Sequence, residues 1–243
     1  MKGFMVGACV ALLGGAWGLS ASAATLSGSV TTAVPATVNL TAPTTVDWAI
    51  WDYQAAAQGT TGAPSNRKLG GTSIGNASAV NGTLRGITGT LTPPRYSYTD
   101  GTSPTSASSA AIGAITDAVL NTAGPGVRFS VTGDPLTTRT VQVYVAGFQA
   151  TGTFTATLNG APVYTDSSIT YGGTRTGALY TLDFRPDSAA DVLQMSYVMQ
   201  SVNAGASNAN VDLQAIAVSV PEPAGLGLLA VGAVGVMRRR RRR

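Results

Sequence analysis

From residue 140 onward the chain repeats one pattern, an apolar side chain at every second position, and a period of two is buried on one side only by an extended strand. Val141, Val143 and Val145 alternate with Thr140, Gln142 and Tyr144. Phe154, Ala156 and Leu158 repeat the pattern, Tyr180, Leu182 and Phe184 repeat it again, and residues 192–199 and 210–218 read as further apolar strands. Asn159-Gly160, just before Pro162-Val163-Tyr164, supplies the pair that a type I′ hairpin requires. With residues 47–52 as an early strand, at least six strands follow at short spacing with no helical period between them. The fold class predicted is all-β, an antiparallel β-sandwich of two sheets and of jelly-roll type.

Composition supports strands joined by tight turns. The body is rich in Thr, Ser, Ala, Gly and Val, and Glu222 is the one glutamate in the chain. Residues 54–69 and 99–111 are Gly, Ser, Thr and Ala rich and read as loops. Residues 24–46, with Pro35 and Pro43 among threonines, fit either a leading edge strand or a flexible arm.

The two ends are of different character. Lys2 precedes the apolar residues 4–19, and Ser20-Ala21-Ser22-Ala23-Ala24 closes them, the layout of a secretory signal peptide cut after Ala23 or Ala24. Residues 1–24 are therefore expected to be a signal helix, read by the Sec translocon and removed by signal peptidase. Cys9, the one cysteine, lies inside this segment, so the mature body has no thiol to pair. At the other end Pro221-Glu222-Pro223 is followed by the apolar residues 224–237 and then by Arg238, Arg239, Arg240, Arg241, Arg242 and Arg243. Moving one arginine to the bilayer centre costs about 2.5 to 3.5 kcal/mol, so six cost on the order of 15 kcal/mol or more. The arginines stay cytoplasmic. As a helix the apolar segment reaches about 21 Å, against about 30 Å of hydrocarbon, and Gly225, Gly227, Gly232 and Gly235 weaken it further. A short, weak transmembrane helix of this kind suits transient inner-membrane insertion before cleavage.

Residues 25–219 remain as one exported domain, long enough for a substantial core. The whole-chain charge of +4 is misleading, because six of the fifteen basic residues are the tail and one is Lys2. The body carries eight basic residues against ten aspartates, a net charge of −2. With no basic stripe it offers nothing to a nucleic acid.

The C-terminus resembles the PEP-CTERM sorting signal, on Pro221, Glu222, Pro223, the apolar segment and Arg238 to Arg243 in that order. The resemblance implies cleavage near the motif by an exosortase, an integral-membrane cysteine peptidase, and delivery to the cell surface or extracellular matrix of a Gram-negative bacterium. The body is similar to galactose-binding-like jelly-roll modules of bacterial surface proteins, on Asp47-Trp48 through Trp51, residues 96–102, 140–147, 154–160, 180–182 and 211–215. A fold of this kind fixes no ligand.

Catalysis has little to stand on. The chain has no histidine, which removes Ser-His-Asp, Cys-His and the usual zinc constellations. Asp183, Asp187 and Asp191 are close in sequence, as a carboxylate pair for glycoside hydrolysis must be in space, but turn-capping aspartates look the same. Calcium prefers aspartate and carbonyl oxygens, yet no Asp-x-Asp-x-Asp-Gly loop is present, so no metal ligand and no cofactor is assigned. The expectation is a non-catalytic exported protein of the surface or matrix. Trp48, Trp51, Tyr96 and Tyr98 are the aromatics able to stack on a sugar of an extracellular polysaccharide, and the competing reading is that they fill the core. The alternative function is a structural biofilm scaffold glycosylated at Asn39, Asn76 or Asn81, each of which opens an Asn-x-Ser/Thr pattern.

Overall fold

The computed structural model describes residues 23–53, 61–87, 94–110 and 113–221, and within them every regular element is a strand. In chain order these are β1 (Thr25–Thr31), β2 (Thr37–Asn39), β3 (Thr45–Ile50), β4 (Asn66–Arg67), β5 (Ser78–Ala79), β6 (Leu84–Ile87), β7 (Arg95–Tyr98), β8 (Ala107–Ala110), β9 (Ala114–Asp117), β10 (Gly126–Thr132), β11 (Arg139–Phe148), β12 (Ala150–Thr157), β13 (Tyr164–Asp166), β14 (Thr176–Arg185), β15 (Val192–Val202) and β16 (Asn210–Ser219). They form an eight-stranded sheet in the order β1-β14-β11-β16-β3-β4, with β9 also pairing β16 and β6 pairing β9. A five-stranded sheet runs β13-β12-β15-β10-β5, and a three-stranded sheet runs β2-β7-β8.

The alternating strands make the main interface. Val141, Val143 and Val145 of β11, Tyr180, Leu182 and Phe184 of β14, and Ile216 and Val218 of β16 pack with Phe129 and Val131 of β10, Phe154 and Ala156 of β12, and Leu193, Met195 and Tyr197 of β15. Phe154 is the hub. Its ring stacks on Tyr180 at 4.1 Å and 12°, and Phe129, Tyr164 and Tyr197 surround it with centroids between 6.2 and 6.4 Å away. Such ring pairs add about 0.5–1.5 kcal/mol each beyond their buried area. Two buried phenols, Tyr171 and Tyr197, meet at 2.6 Å between hydroxyls. Gly152 makes room for them, since a Cβ there would lie 2.2 Å from the Tyr197 hydroxyl.

Two sheets do not complete the molecule. Strand β16 is buried along both faces, from Asn210 to Val218, because its sheet is the middle of three layers. On the far face Tyr144 of β11, Leu179 of β14, Ala215 and Ala217 of β16, and Trp48 and Ile50 of β3 pack under Val38, Tyr96 and Tyr98 of the three-stranded sheet. That sheet also breaks the antiparallel rule. Strands β2 and β7 run parallel, in the register Thr37 with Arg95 and Asn39 with Ser97.

Other expectations also meet local corrections. Residues 25–31 are an edge strand rather than an arm, zipped to β14 from Thr25 opposite Arg185 to Thr31 opposite Leu179. The predicted type I′ hairpin does not form. Strands β12 and β13 pair with Ala156 opposite Tyr164, so the connection spans residues 157–163. Within it Gly160 alone has a positive φ, 73°, while type I′ needs one at Asn159 as well. The predicted loops carry β4 and β8.

Candidate functional site

The C-terminal end of β16 fixes where the sorting segment starts. The strand ends at Ser219, Val220 N–H donates to the Thr44 carbonyl at 3.1 Å, and Pro221 is exposed. No spacer separates the sandwich from the Pro-Glu-Pro motif. Glu222, Pro223, residues 224–237 and the six terminal arginines lie outside the described residues, as do residues 1–22. Among the described residues no helix is long and apolar enough to cross a membrane. At the N-terminal end Ala24 packs into the main core, and the Ala23 carbonyl accepts from Arg185 Nη2 at 3.2 Å.

The four aromatic candidates are interior. Trp48 and Trp51 are 0% exposed and, three residues apart on a pleated segment, enter opposite cores. Trp48 Nε1 donates to Asp100 Oδ1 at 2.8 Å and its ring tilts against Tyr98 at 4.7 Å. Trp51 Nε1 donates to the Gly62 carbonyl at 2.9 Å. Tyr96 sits edge-on to Tyr144 at 5.6 Å, and the Tyr98 hydroxyl accepts from Asn66 Nδ2 at 3.1 Å. A ring covered on both faces offers no platform to a sugar, so these positions read as packing.

The clustered aspartates also do separate work. Asp183 accepts from Thr140 Oγ1 at 2.5 Å across the sheet, whereas Asp191 accepts from Ser188 N–H at 3.2 Å and so closes a turn. Among the described residues no group of three acidic, cysteine or histidine side chains is placed to hold a metal.

A recess that none of these residues line opens beside the three-stranded sheet, on the same face of the middle layer. Arg85 of β6 lies opposite Thr116 of β9, and Thr116 lies opposite Asp212 of β16. Across the next ladder Asp212 faces Ala146, and Asn210 faces Phe148, both of β11. Directly paired residues share a sheet face, so Arg85, Thr116, Asp212 and Phe148 project to one side. The cavity there has a volume of about 280 Å³. Arg85 and Arg175 give it charge, Asn208 and Asn210 give it amides, and Ile87, Leu120 and Phe148 give it an apolar wall.

Its electrostatics are unusual for so weakly charged a body. Asp212 is fully buried in a strand that also buries Asn210 and Gln214, and Arg175 reaches it to form an ion pair, with a second bond from Arg175 Nη2 to Asn210 Oδ1 at 2.8 Å. Burial lowers the Arg175 pKa to about 10, Tyr171 acting the other way, so the guanidinium remains charged at neutral pH. Asp212 Oδ1 and Arg85 Nε are buried with no hydrogen-bond partner among the described residues. Sequence reasoning passed over this site. Its one local signal was Asp212 itself, a charge inside the mostly apolar run Val211 to Val218, which is costly unless paired.

Residues 219–242 match the PEP-CTERM protein-sorting motif. No curated protein matches the chain. Among solved structures it is similar to an exo-beta-1,3-galactanase from Phanerochaete chrysosporium with beta-1,3-galactotriose, at 16% identity and a TM-score of 0.28, over 58% of this chain and 27% of that one. It is also similar to an arabinose-bound α-L-arabinofuranosidase at 12% identity and a TM-score of 0.33, over 82% of this chain and 32% of that one. The chain therefore spans less than a third of either structure, and likeness at this level carries no argument about activity.

Proposed function

From a chain that carries an exosortase sorting signal, and is by that implication an exported protein, we propose a non-catalytic module of the cell surface or extracellular matrix that binds carbohydrate. The Sec translocon exports it, signal peptidase removes the leader, the apolar segment and arginines hold it briefly in the inner membrane, and exosortase cuts near Pro221-Glu222-Pro223. The observation that carries this reading is the junction at Val220. The matched motif begins where β16 ends, so a cut at or after Pro221 leaves every strand of the sandwich in the released product. A galactose-binding-like jelly-roll ancestry of the body fits the layered strands, and the separate hydrogen-bonding roles of Asp183 and Asp191 favour binding over hydrolysis by a carboxylate pair.

Carbohydrate contact is assigned to the recess rather than to Trp48, Trp51, Tyr96 or Tyr98, because the recess combines an open volume with polar groups and an aromatic wall. The scaffold reading keeps one observation in its favour, the exposure of Asn39, Asn76 and Asn81. The deciding measurement is the intact mass and C-terminal residue of the extracellular protein from its host. An end near residues 220–223 is expected, whereas a chain outside the cell that still ends at Arg243 removes the processing step. Added hexose mass together with no sugar affinity favours the scaffold.

A further inference from the structure

We infer that the Arg85–Arg175–Asp212 recess is a binding site for a single carboxylated sugar ring, an acidic residue of the uronate class. The inference deepens the carbohydrate-binding reading and rests on it. The charge count comes first. Two guanidiniums and one carboxylate line or floor the cavity, and Asp212 is already engaged by Arg175, which leaves the charge of Arg85 uncompensated. One net positive charge is matched by a monoanion. A phosphate monoester brings close to two negative charges against the Asp212 carboxylate, and a carboxylate brings one.

Geometry then selects a ring. Arg85 and Asp212 stand two ladders apart with Thr116 between them, about 9.6 Å between backbones from strand spacing, so the recess extends beyond the space that a carboxylate on Arg85 alone fills. Phe148, half-buried on the wall, offers an apolar face, and the exposed Asn208 amide lies at a hydroxyl-binding position, whereas the buried Thr116 hydroxyl already donates to the Val211 carbonyl at 2.6 Å. A volume of about 280 Å³ sits at the small end of ligand cavities and suits one residue of a chain rather than a long segment. Placement agrees. The recess is built at the first residues of β16 and the sorting motif follows its last, a separation of about 23 Å from Asp212 to Ser219 along the strand, so the recess lies at the opposite end of β16 from the motif. The Arg85 fork binds the carboxylate bidentately, while the Arg175–Asp212 pair holds the floor.

The test is calorimetric titration of the full chain in neutral detergent with methyl glucuronide, methyl glucoside, acetate and inorganic phosphate. Methyl glucuronide is expected to bind about tenfold or more tighter than either the glucoside or acetate. Arg85→Gln is expected to weaken it by about tenfold with an unchanged unfolding temperature, since Arg85 makes no ion pair among the described residues. Should that variant fail to fold, Asn208→Ala on the exposed rim gives the same comparison with a smaller loss. An oligouronate that binds at least as well as the single residue assigns the source to a polymer, and one that binds worse assigns it to a free sugar acid; both support the site. Equal affinity for glucuronide and glucoside overturns the acidic specificity while leaving carbohydrate binding in place. Tighter phosphate binding, absence of glucuronide binding, or an Arg85→Gln affinity equal to that of the parent overturns the site.

Discussion

The two faces of the middle sheet are built from the same strands and end up with different physics. Toward the five-stranded sheet the face is continuous, apolar and aromatic, centred on Phe154. Toward the three-stranded sheet it divides: half is a smaller aromatic cluster under Tyr96 and Tyr98, and half is the recess, where Asp212 and two arginines replace hydrocarbon. A continuous core stabilises through area and packing. A divided face leaves a part of the sheet open, and the buried charge there costs stability unless the ion pair is intact. The difference marks one face as structural and puts the proposed ligand site on the other.

The strongest way to break this contrast is at its hub. Phe154→Ala removes a ring in contact with four other aromatics and is expected to destabilise by about 3–5 kcal/mol, read by denaturant unfolding. A loss below about 1 kcal/mol would show that the inner face is not the principal core. Next comes Asp212→Ala, which strands the Arg175 guanidinium in a buried setting and is expected to cost about 3 kcal/mol. The paired replacement Arg175→Met with Asp212→Leu is expected to recover most of that stability while abolishing ligand binding. Recovery of both stability and binding would show that the recess charges serve neither role.

Alkaline pH tests both faces at once. Burial raises the pKa of Tyr171, Tyr180 and Tyr197 on the inner side and of Tyr96 on the outer side, and raises Tyr144 to about 12. Each raised group contributes stability that is complete below the unfolded value of 10.0 and is lost as pH rises through the folded value. Stability is therefore expected to hold up to pH 10 and fall above it, with Tyr144→Phe removing part of the fall between pH 10 and about 12. Unfolding midpoints that stay flat over that window would contradict the burial of these phenols. A smaller effect comes from Tyr171→Phe, which deletes one hydroxyl of the buried pair and is expected to cost about 1 kcal/mol. The smallest is Lys68→Ala at the partly exposed pair with Asp100, about 0.5 kcal/mol and screened by salt.

Much of the inner face was legible because side-chain alternation is a local property. Val141, Val143 and Val145, or Phe154 and Ala156, announce a strand whatever the partner. The third layer was not legible in the same way. Residues 37–39 and 95–98 are short, rich in polar residues and far apart in sequence, and their parallel pairing depends on the Trp48 and Tyr144 surface that they cover. Trp48, Trp51, Tyr96 and Tyr98 show the same limit from the functional side. An aromatic in a strand is equally compatible with a core and with a sugar platform until a covering layer is known. Asn159-Gly160 failed as a hairpin signal because register, set by Ala156 opposite Tyr164, left more residues to connect than a two-residue turn holds.

What the sequence determined by itself was the address and the strand content. Six arginines oppose passage through a bilayer, and a period of two demands extended chain, and neither depends on what lies alongside. What only the tertiary structure decided was which faces are covered and which charges meet. Arg85, Arg175 and Asp212 are separated by up to 127 positions and become neighbours only because β6, β9 and β16 pair in one register and the segment entering β14 folds over them. Proximity of that kind is a product of strand order, which local side-chain patterns do not encode.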